Sequence, residues 1–221
     1  MELNADFSKR VVVKSETNEW VPSPMAGVER KMLDRIGDEV ARATTIVRFA
    51  PGSAFSAHTH DGGEEFIVLD GVFQDEHGDF PTGSYIRNPP TSSHTPASEP
   101  GTTILVKLHQ FDPKDRTHVR IATDKTEPVA AAGRVGVKVI PLYKDNREHV
   151  RIEDWAPGAE ISMDVQDGLE VFVLRGGFTE AGDRLSEWDW LRLPKDSQLQ
   201  AVAGPEGARV WIKSDHLAEM V

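Results

Sequence analysis

Apolar residues along the chain come in short runs, not in long helical stripes. "RATTIVRFAPG" (from Arg42), "EFIVLDGVF" (from Glu65), "GSYIRNPP" (from Gly83) and "TTILVKLHQF" (from Thr102) are rich in β-branched or aromatic residues. Each closes near Gly, Pro, Asp or Asn. A second set follows in "VGVKVIPLY" (from Val135), "EHVRIEDWAPG" (from Glu148), "EVFVLRGGF" (from Glu170), "WDWLRLP" (from Trp188) and "ARVWIKS" (from Ala208). Repeated short strands with frequent turns predict an all-β sandwich or barrel. In "ERKMLDRIGDEVARA", residues Met32, Leu33, Ile36 and Val40 have helix-like spacing. Gly37 and the strand-like neighbours favour a β-hairpin turning near Gly37–Asp38. The C-terminal "SDHLAEM" can form a helical turn capped by Ser214. "SKRVVVKS" near the N-terminus reads as a short strand able to pair with the second half or with another chain.

The two sets of strands are copies. "GVERKML" (Gly27) matches "GVKVIPL" (Gly136), "RFAPGS" (Arg48) matches "DWAPGA" (Asp154), "EFIVLDGVF" matches "EVFVLRGGF", and "IRNPP" (Ile86) matches "LRLPK" (Leu191). The order is kept and the offset stays between 105 and 109 residues. Two tandem domains follow, 1–117 and 118–221, with the break after the charged "FDPKDRTH". "DKTEPVAAAG" (Asp124 to Gly133) is then a polar, small-residue loop within the second half.

Chemistry concentrates in the first copy. Side chains alternate along a strand, so His58 and His60 point the same way. The turn "DGG" reverses the chain and Glu64 starts the next strand, with Phe66 and Val68 on its face. His94 supplies a third imidazole. Three histidines and one glutamate suit a divalent transition metal such as Zn, Fe, Mn or Ni, with room left for water or substrate.

Gly52 lies six residues before His58, Glu64 four after His60 and Gly71 seven after Glu64, and Pro81-x-Gly83 precedes His94. This arrangement resembles the two cupin motifs, G-x5-H-x-H-x3-E-x6-G and P-x-G with a distal His. The stretch "FAPGSAFSAHTHDGGEEFIVLDGVFQDEHGDFPTGSYIRNPPTSSH" is similar to the cupin-like C-terminal domain of ChrR-type anti-sigma factors. That resemblance implies a zinc site at His58, His60, Glu64 and His94. It also implies two tandem antiparallel jelly-roll β-barrels: a metal-binding first domain with an N-terminal strand arm, and a degenerate second domain without the ligands. ChrR-type factors also carry an N-terminal helical domain that holds zinc through His and Cys and grips the sigma factor. Here a short, cysteine-free segment precedes the repeat, so that domain is not expected.

Aligning the copies with one turn glycine missing puts Asp164 at His58, Gln166 at His60, Leu169 at Glu64 and Leu199 near His94. A metal-free barrel filled by Leu, Phe and Trp is expected there. The alternative, an oxygen site from Asp164, Asp167 and Glu170, is disfavoured because Glu170 aligns with Glu65, on the face opposite Glu64. His77 in "DEHGD" reads as a solvated hairpin tip and His109 as a structural residue at a strand end. His118, His149 and His216 carry no pattern. Trp188 and Trp190 read as packing or interface residues on one strand face. Tyr85 and Arg87 share a face whose direction the pattern leaves open.

Net charge of −11 argues against a nucleic-acid surface. No apolar run reaches the ~18 residues a membrane helix needs, and the N-terminus lacks a signal-peptide pattern. The absence of cysteine excludes disulfides, thiolate ligands and Cys nucleophiles, and makes the cytoplasm the default location. Two function classes remain. One is a metal-dependent, small-molecule-sensing regulatory module of transcription, with a sigma factor as candidate partner. The other is a cupin-type Fe-dependent dioxygenase acting on a small diketone or hydroxyacetophenone-like substrate. A homodimer is the commonest assembly for such a chain.

Overall fold

The computed structural model describes residues 1–38, 40–218 and 220. Among these, nearly all regular structure is antiparallel β; the helical exception is a 3-10 turn at Thr123–Lys125. Among the described residues no helix is long and apolar enough to cross a membrane. The last strand ends at Ser214, the described residues 215–218 form bends and turns, and part of the expected helical turn lies outside the described residues. The ambiguous segment is the expected hairpin, Val28–Gly37 paired with Ala41–Phe49.

The chain forms two compact units. One holds residues 1–5 and 19–126, the other 6–18 and 127–221. This departs from the expected break at 117/118 for a definite reason. Val119–Ala122 pairs with Ser84–Asn88, so it closes the first unit rather than opening the second. The arm Val11–Val13 pairs with Trp190–Leu193 and belongs to the second unit.

The two main sheets have one plan. In the first unit the strands lie in the order Glu2–Leu3, Val28–Gly37, Ala41–Phe49, Thr102–Leu108, Glu64–Asp75, Ser84–Asn88, Val119–Ala122. In the second the order is Val129–Ala130, Val137–Lys144, His149–Trp155, Ser197–Ser214, Leu169–Glu180, Trp190–Leu193, Val11–Val13. Val119 pairs with Arg87 as Val11 pairs with Arg192. Each unit thus covers the same edge of its core strands, one with the strand that follows it and one with the N-terminal arm, so the outermost strand there is short in both.

Alternation sorts the side chains. Phe66, Val68, Phe73, Ile86, Ile104 and Val106 form the apolar cluster of the first unit. Its counterpart in the second unit is larger and includes Trp155, Val171, Val173, Phe178, Leu191 and Val210. The opposite face of each central strand is buried too, but it carries charge. Glu65 takes the Tyr85 hydroxyl and lies 3.6 Å from Arg87. Arg87 pairs with Asp115 at 2.9 Å and stacks under Phe111. Glu170 takes Trp190 Nε1 at 3.1 Å and pairs with His216 at 2.8 Å, while Arg192 stacks on Phe7. Tyr85 and Arg87 therefore face away from Glu64. Trp190 is buried, but Trp188 sits in a turn at φ +66° and shares no strand face with it.

The turn before Glu64 is held by an incoming segment. His109 N donates to Gly63 O and Phe111 N to Gly62 O. Gly63 has φ +78°, and a Cβ there would lie 2.4 Å from the Phe111 ring. Gly63→Ala should therefore cost at least about 1–2 kcal/mol from the left-handed backbone alone, with the Phe111 clash added. Chemical denaturation measures this, and an unchanged midpoint would contradict the packing.

Candidate metal centre

The four predicted residues converge. One donor atom from each of His58, His60, Glu64 and His94 lies within 4.8 Å of the others. The convergence is built by pairing. His58–Thr59 runs antiparallel to Ser93–His94 with His58 opposite His94. The turn at 61–63 then delivers Glu64 at the start of the long strand, opposite Asn88. The imidazole centroids are 4.6–5.0 Å apart, with the rings nearly perpendicular. His60, Glu64 and His94 are buried and His58 is exposed, so the cluster is open on the His58 side.

Each histidine uses Nδ1 for support. His94 Nδ1 meets Asp75 Oδ2 at 3.3 Å, His60 Nδ1 meets Ser92 Oγ at 3.2 Å, and His58 Nδ1 meets the Ser56 carbonyl at 3.3 Å. A carboxylate and a carbonyl only accept, so Nδ1 of His94 and His58 carries the proton and Nε2 keeps the lone pair. Nε2 of His60 lies 3.4 Å and Nε2 of His94 3.6 Å from Glu64 Oε2. Both nitrogens are buried without a hydrogen-bond partner. Glu64 Oε2 accepts a single 3.2 Å bond from Asn88 Nδ2. Polar nitrogens left unpaired in a buried cluster are costly. A divalent cation among them relieves that cost, so the donor set fits one.

Electrostatics agree. Burial lowers the His60 imidazole to about 4, helped by neighbouring His58 and His109. Burial also lowers His94, against the opposing pull of Glu64. Burial raises the Glu64 carboxyl, opposed by His94 and the Asn88 bond. The imidazoles of His60 and His94 are thus held toward the neutral form a metal needs, and the Glu64 carboxylate is one whose charge a cation stabilises.

Residues 8–112 match the family of ChrR cupin-like domains. No curated protein matches the sequence. A putative dioxygenase from Nostoc punctiforme superposes with a TM-score of 0.80 at 16% identity, covering 96% of this chain and 85% of that one. YlbA from Escherichia coli gives 0.71 at 16% identity, covering 95% and 92%. The pirin YhhW from Escherichia coli, in complex with nickel(II), gives 0.64 at 13%, covering 93% and 98%. With two units of one plan, the first bearing the clustered donors, the fold is clear. The chain folds as a bicupin, two tandem cupin barrels.

The second unit of the bicupin corrects the expected alignment. Met163 pairs with Leu199 as His58 pairs with His94. Gly168 has φ +87° and takes Asp215 N, as Gly63 takes His109 N. The copies therefore align here without a gap. Met163, Val165, Leu169 and Leu199 occupy the positions of His58, His60, Glu64 and His94, while Asp164 and Gln166 are exposed. Val165, Leu169 and Leu199 join the apolar cluster, with Met163 packed against it. The alternative oxygen site does not assemble, because Glu170 is committed to Trp190 and His216 on the other face.

Sequence reading missed the residues behind the donors. Asp75 is not part of a solvated tip: its side chain is 3% exposed and it bridges His94 and His77, both at 3.3 Å. Glu76 accepts from Thr95 N at 2.8 Å, so the hairpin tip is tied to the His94 segment. Asn88 was within reach of strand alternation, which puts it on the face opposite Arg87. Ser92 and Asp75 depend on loop docking that no local pattern encodes.

Replacing His94 with Ala should leave the purified protein with sharply substoichiometric metal. Asp75→Asn should bind metal roughly 10–100-fold more weakly while folding normally. Metal analysis and chelator competition measure both, and wild-type affinity in both variants would remove the assignment. Proton linkage adds a further check on metal-free protein. Between pH 6.5 and about 4 the unfolded chain takes up a proton that folded His60 refuses, so His60 costs stability as pH falls. Glu64, shifted the other way, favours the metal-free fold as pH falls. The wild type should therefore lose roughly 1–3 kcal/mol more than His60→Gln on going from pH 7 to pH 4.5. A difference between the two that does not vary with pH would contradict the burial of His60.

Proposed function

We propose that this bicupin is a metal-dependent regulatory module. Its first barrel holds one divalent transition metal on His58, His60, Glu64 and His94, and a small molecule reaches the site from the exposed His58 side. The carrying observation is the pair of buried, unpartnered Nε2 atoms of His60 and His94 facing Glu64. Support for a regulatory role comes from the match of residues 8–112 to ChrR cupin-like domains. Zinc is the metal this reading favours, since three imidazoles and a carboxylate are ligands zinc accepts without redox chemistry. The partner that reads the site is a sigma factor or a protein bound to one, which puts the protein in the cytoplasm. A homodimer is the proposed assembly.

A second reading is an Fe-dependent dioxygenase. Its support is the likeness to the putative dioxygenase of Nostoc punctiforme, together with a donor cluster open to solvent at His58. In this reading bound iron supplies the oxygen chemistry. The chain's residues hold the metal through Nε2 and orient it through Asp75, and the Phe73 ring, 5.7 Å from that of His94, gives the substrate an apolar wall.

Elemental analysis of protein purified without added metal separates the two. Tightly held zinc, with no oxygen uptake across a panel of β-diketones and hydroxyacetophenones, is the expected result. Iron with uptake on any of these establishes the dioxygenase instead. Absence of any stoichiometric metal, on purification or after addition of Zn, Fe, Mn or Ni, removes both.

A further inference from the structure

The second unit has a cavity where the first has its donor cluster. It is an open pocket of about 320 Å³ lined by Arg134, Arg151, Met163, Asp164, Leu169 and Asp215, among others. Met163 and Leu169 stand at the positions of His58 and Glu64, so the pocket is the counterpart of the metal centre with its chemistry replaced.

That chemistry comes from a strand two places from Leu169 in the same sheet. Arg151, Glu153 and Trp155 lie on the strand His149–Trp155. The corresponding first-unit positions hold Thr45, Val47 and Phe49: Val137 pairs with Trp155 as Val28 pairs with Phe49. Glu153 is fully buried. It receives both terminal nitrogens of Arg134 at 2.7 Å, Arg151 Nε at 2.8 Å and Trp155 Nε1 at 2.8 Å. Burial works to raise its carboxyl, but the hydrogen bonds and charges of the two arginines outweigh this and hold it below its ordinary value. Two guanidinium groups share one carboxylate, which leaves a positive charge unmatched within the network.

The unmatched end is identifiable. Arg151 is 6% exposed. Its Nη1 reaches the Ser214 hydroxyl at 3.2 Å, and its Nη2 points at the Met163 thioether at 3.3 Å. A thioether is a weak acceptor, so a nearly buried cation presents an N–H group to the cavity with little to receive it. Asp164 and Asp215 are exposed and line the same cavity. Asp164 takes Gln198 Nε2 and Asp215 takes the Ser214 hydroxyl, each at 3.2 Å.

We propose that this cavity binds a small zwitterion of the amino-acid class, its carboxylate on Arg151 and its ammonium toward Asp164 and Asp215. A carboxylate is the acceptor a guanidinium takes best. The two aspartates disfavour a phosphate or a dicarboxylate and favour a ligand with a cationic end. The volume is at the small end of the range for ligand sites. The site is independent of the metal in the first unit.

Calorimetric titration of the full-length protein tests this, with chelator present so that no metal can take up the carboxylate. Glycine, β-alanine and γ-aminobutyrate serve as a ruler for the distance between the two ends, with acetate and methylammonium as half-ligands. The expected result is saturable binding by at least one amino acid, tighter than by either half-ligand. Arg151→Met should weaken it about tenfold or more. Met163→Phe, which fills the cavity and leaves the arginines and Glu153 in place, should abolish it and decides the matter if Arg151→Met does not fold. Metal content of the Met163→Phe protein stays at the wild-type value, which separates this site from the metal centre. No saturable binding by any amino acid, binding unaffected by filling the cavity, or acetate binding as tightly as the amino acids would each overturn the proposal.

Discussion

Two imidazole nitrogens, Nε2 of His60 and of His94, are buried with no hydrogen-bond partner. Burying such groups without compensation is unfavourable, and the local structure of the first unit is arranged around tolerating it. Antiparallel pairing sets His58 opposite His94. A left-handed glycine, pinned by His109 and Phe111, launches Glu64 at the right place. Asp75, at the far end of the same strand, fixes the His94 ring through Nδ1. These devices bring the imidazole nitrogens and the Glu64 carboxylate together, and a cation is what such an arrangement accommodates.

The second unit shows what the same skeleton does when freed from that requirement. Strand order, the turn glycine and the docked segment after the last strand all persist. The donor positions become Met163, Val165, Leu169 and Leu199, and they merge with an apolar cluster larger than that of the first unit. Charge reappears on the strand His149–Trp155 as the Arg134–Glu153–Arg151 network. The buried charge has thus moved to a different strand of the shared plan. Each unit also keeps a buried carboxylate on the outer face of its central strand, Glu65 and Glu170, so that feature belongs to the shared plan and not to the metal.

Much of this was legible in the residues. β-branched runs closed by turn residues located the strands. Gly37 marked the hairpin that helix-like spacing obscured. H-x-H followed by Glu and a distal His named the four side chains that come together, because alternation in a strand and reversal at a glycine turn are local rules. The errors lay where local rules stop. A gap was placed in the second turn because Asp164 and Gln166 look like worn-down ligands. Strand phase instead puts the hydrophobic Met163 and Val165 inward, and burial of apolar surface decides phase. Trp188 and Trp190 looked like one face until a positive φ broke the strand between them.

By itself, the sequence determined the class of fold, the duplication and the set of four clustered side chains, since each is written in periodicity, in local spacing or in the match between the copies. Which unit owns the edge strands was decided only by tertiary structure. Val119–Ala122 and Val11–Val13 are both short apolar strands, and nothing local tells either which sheet it completes. The supporting roles of Asp75, Ser92 and Asn88, the burial of Arg87 and Arg192, and the cavity at Arg151 were likewise settled in three dimensions. Each depends on which side chains meet across segments far apart in the chain, and on which polar groups lose their water when they do.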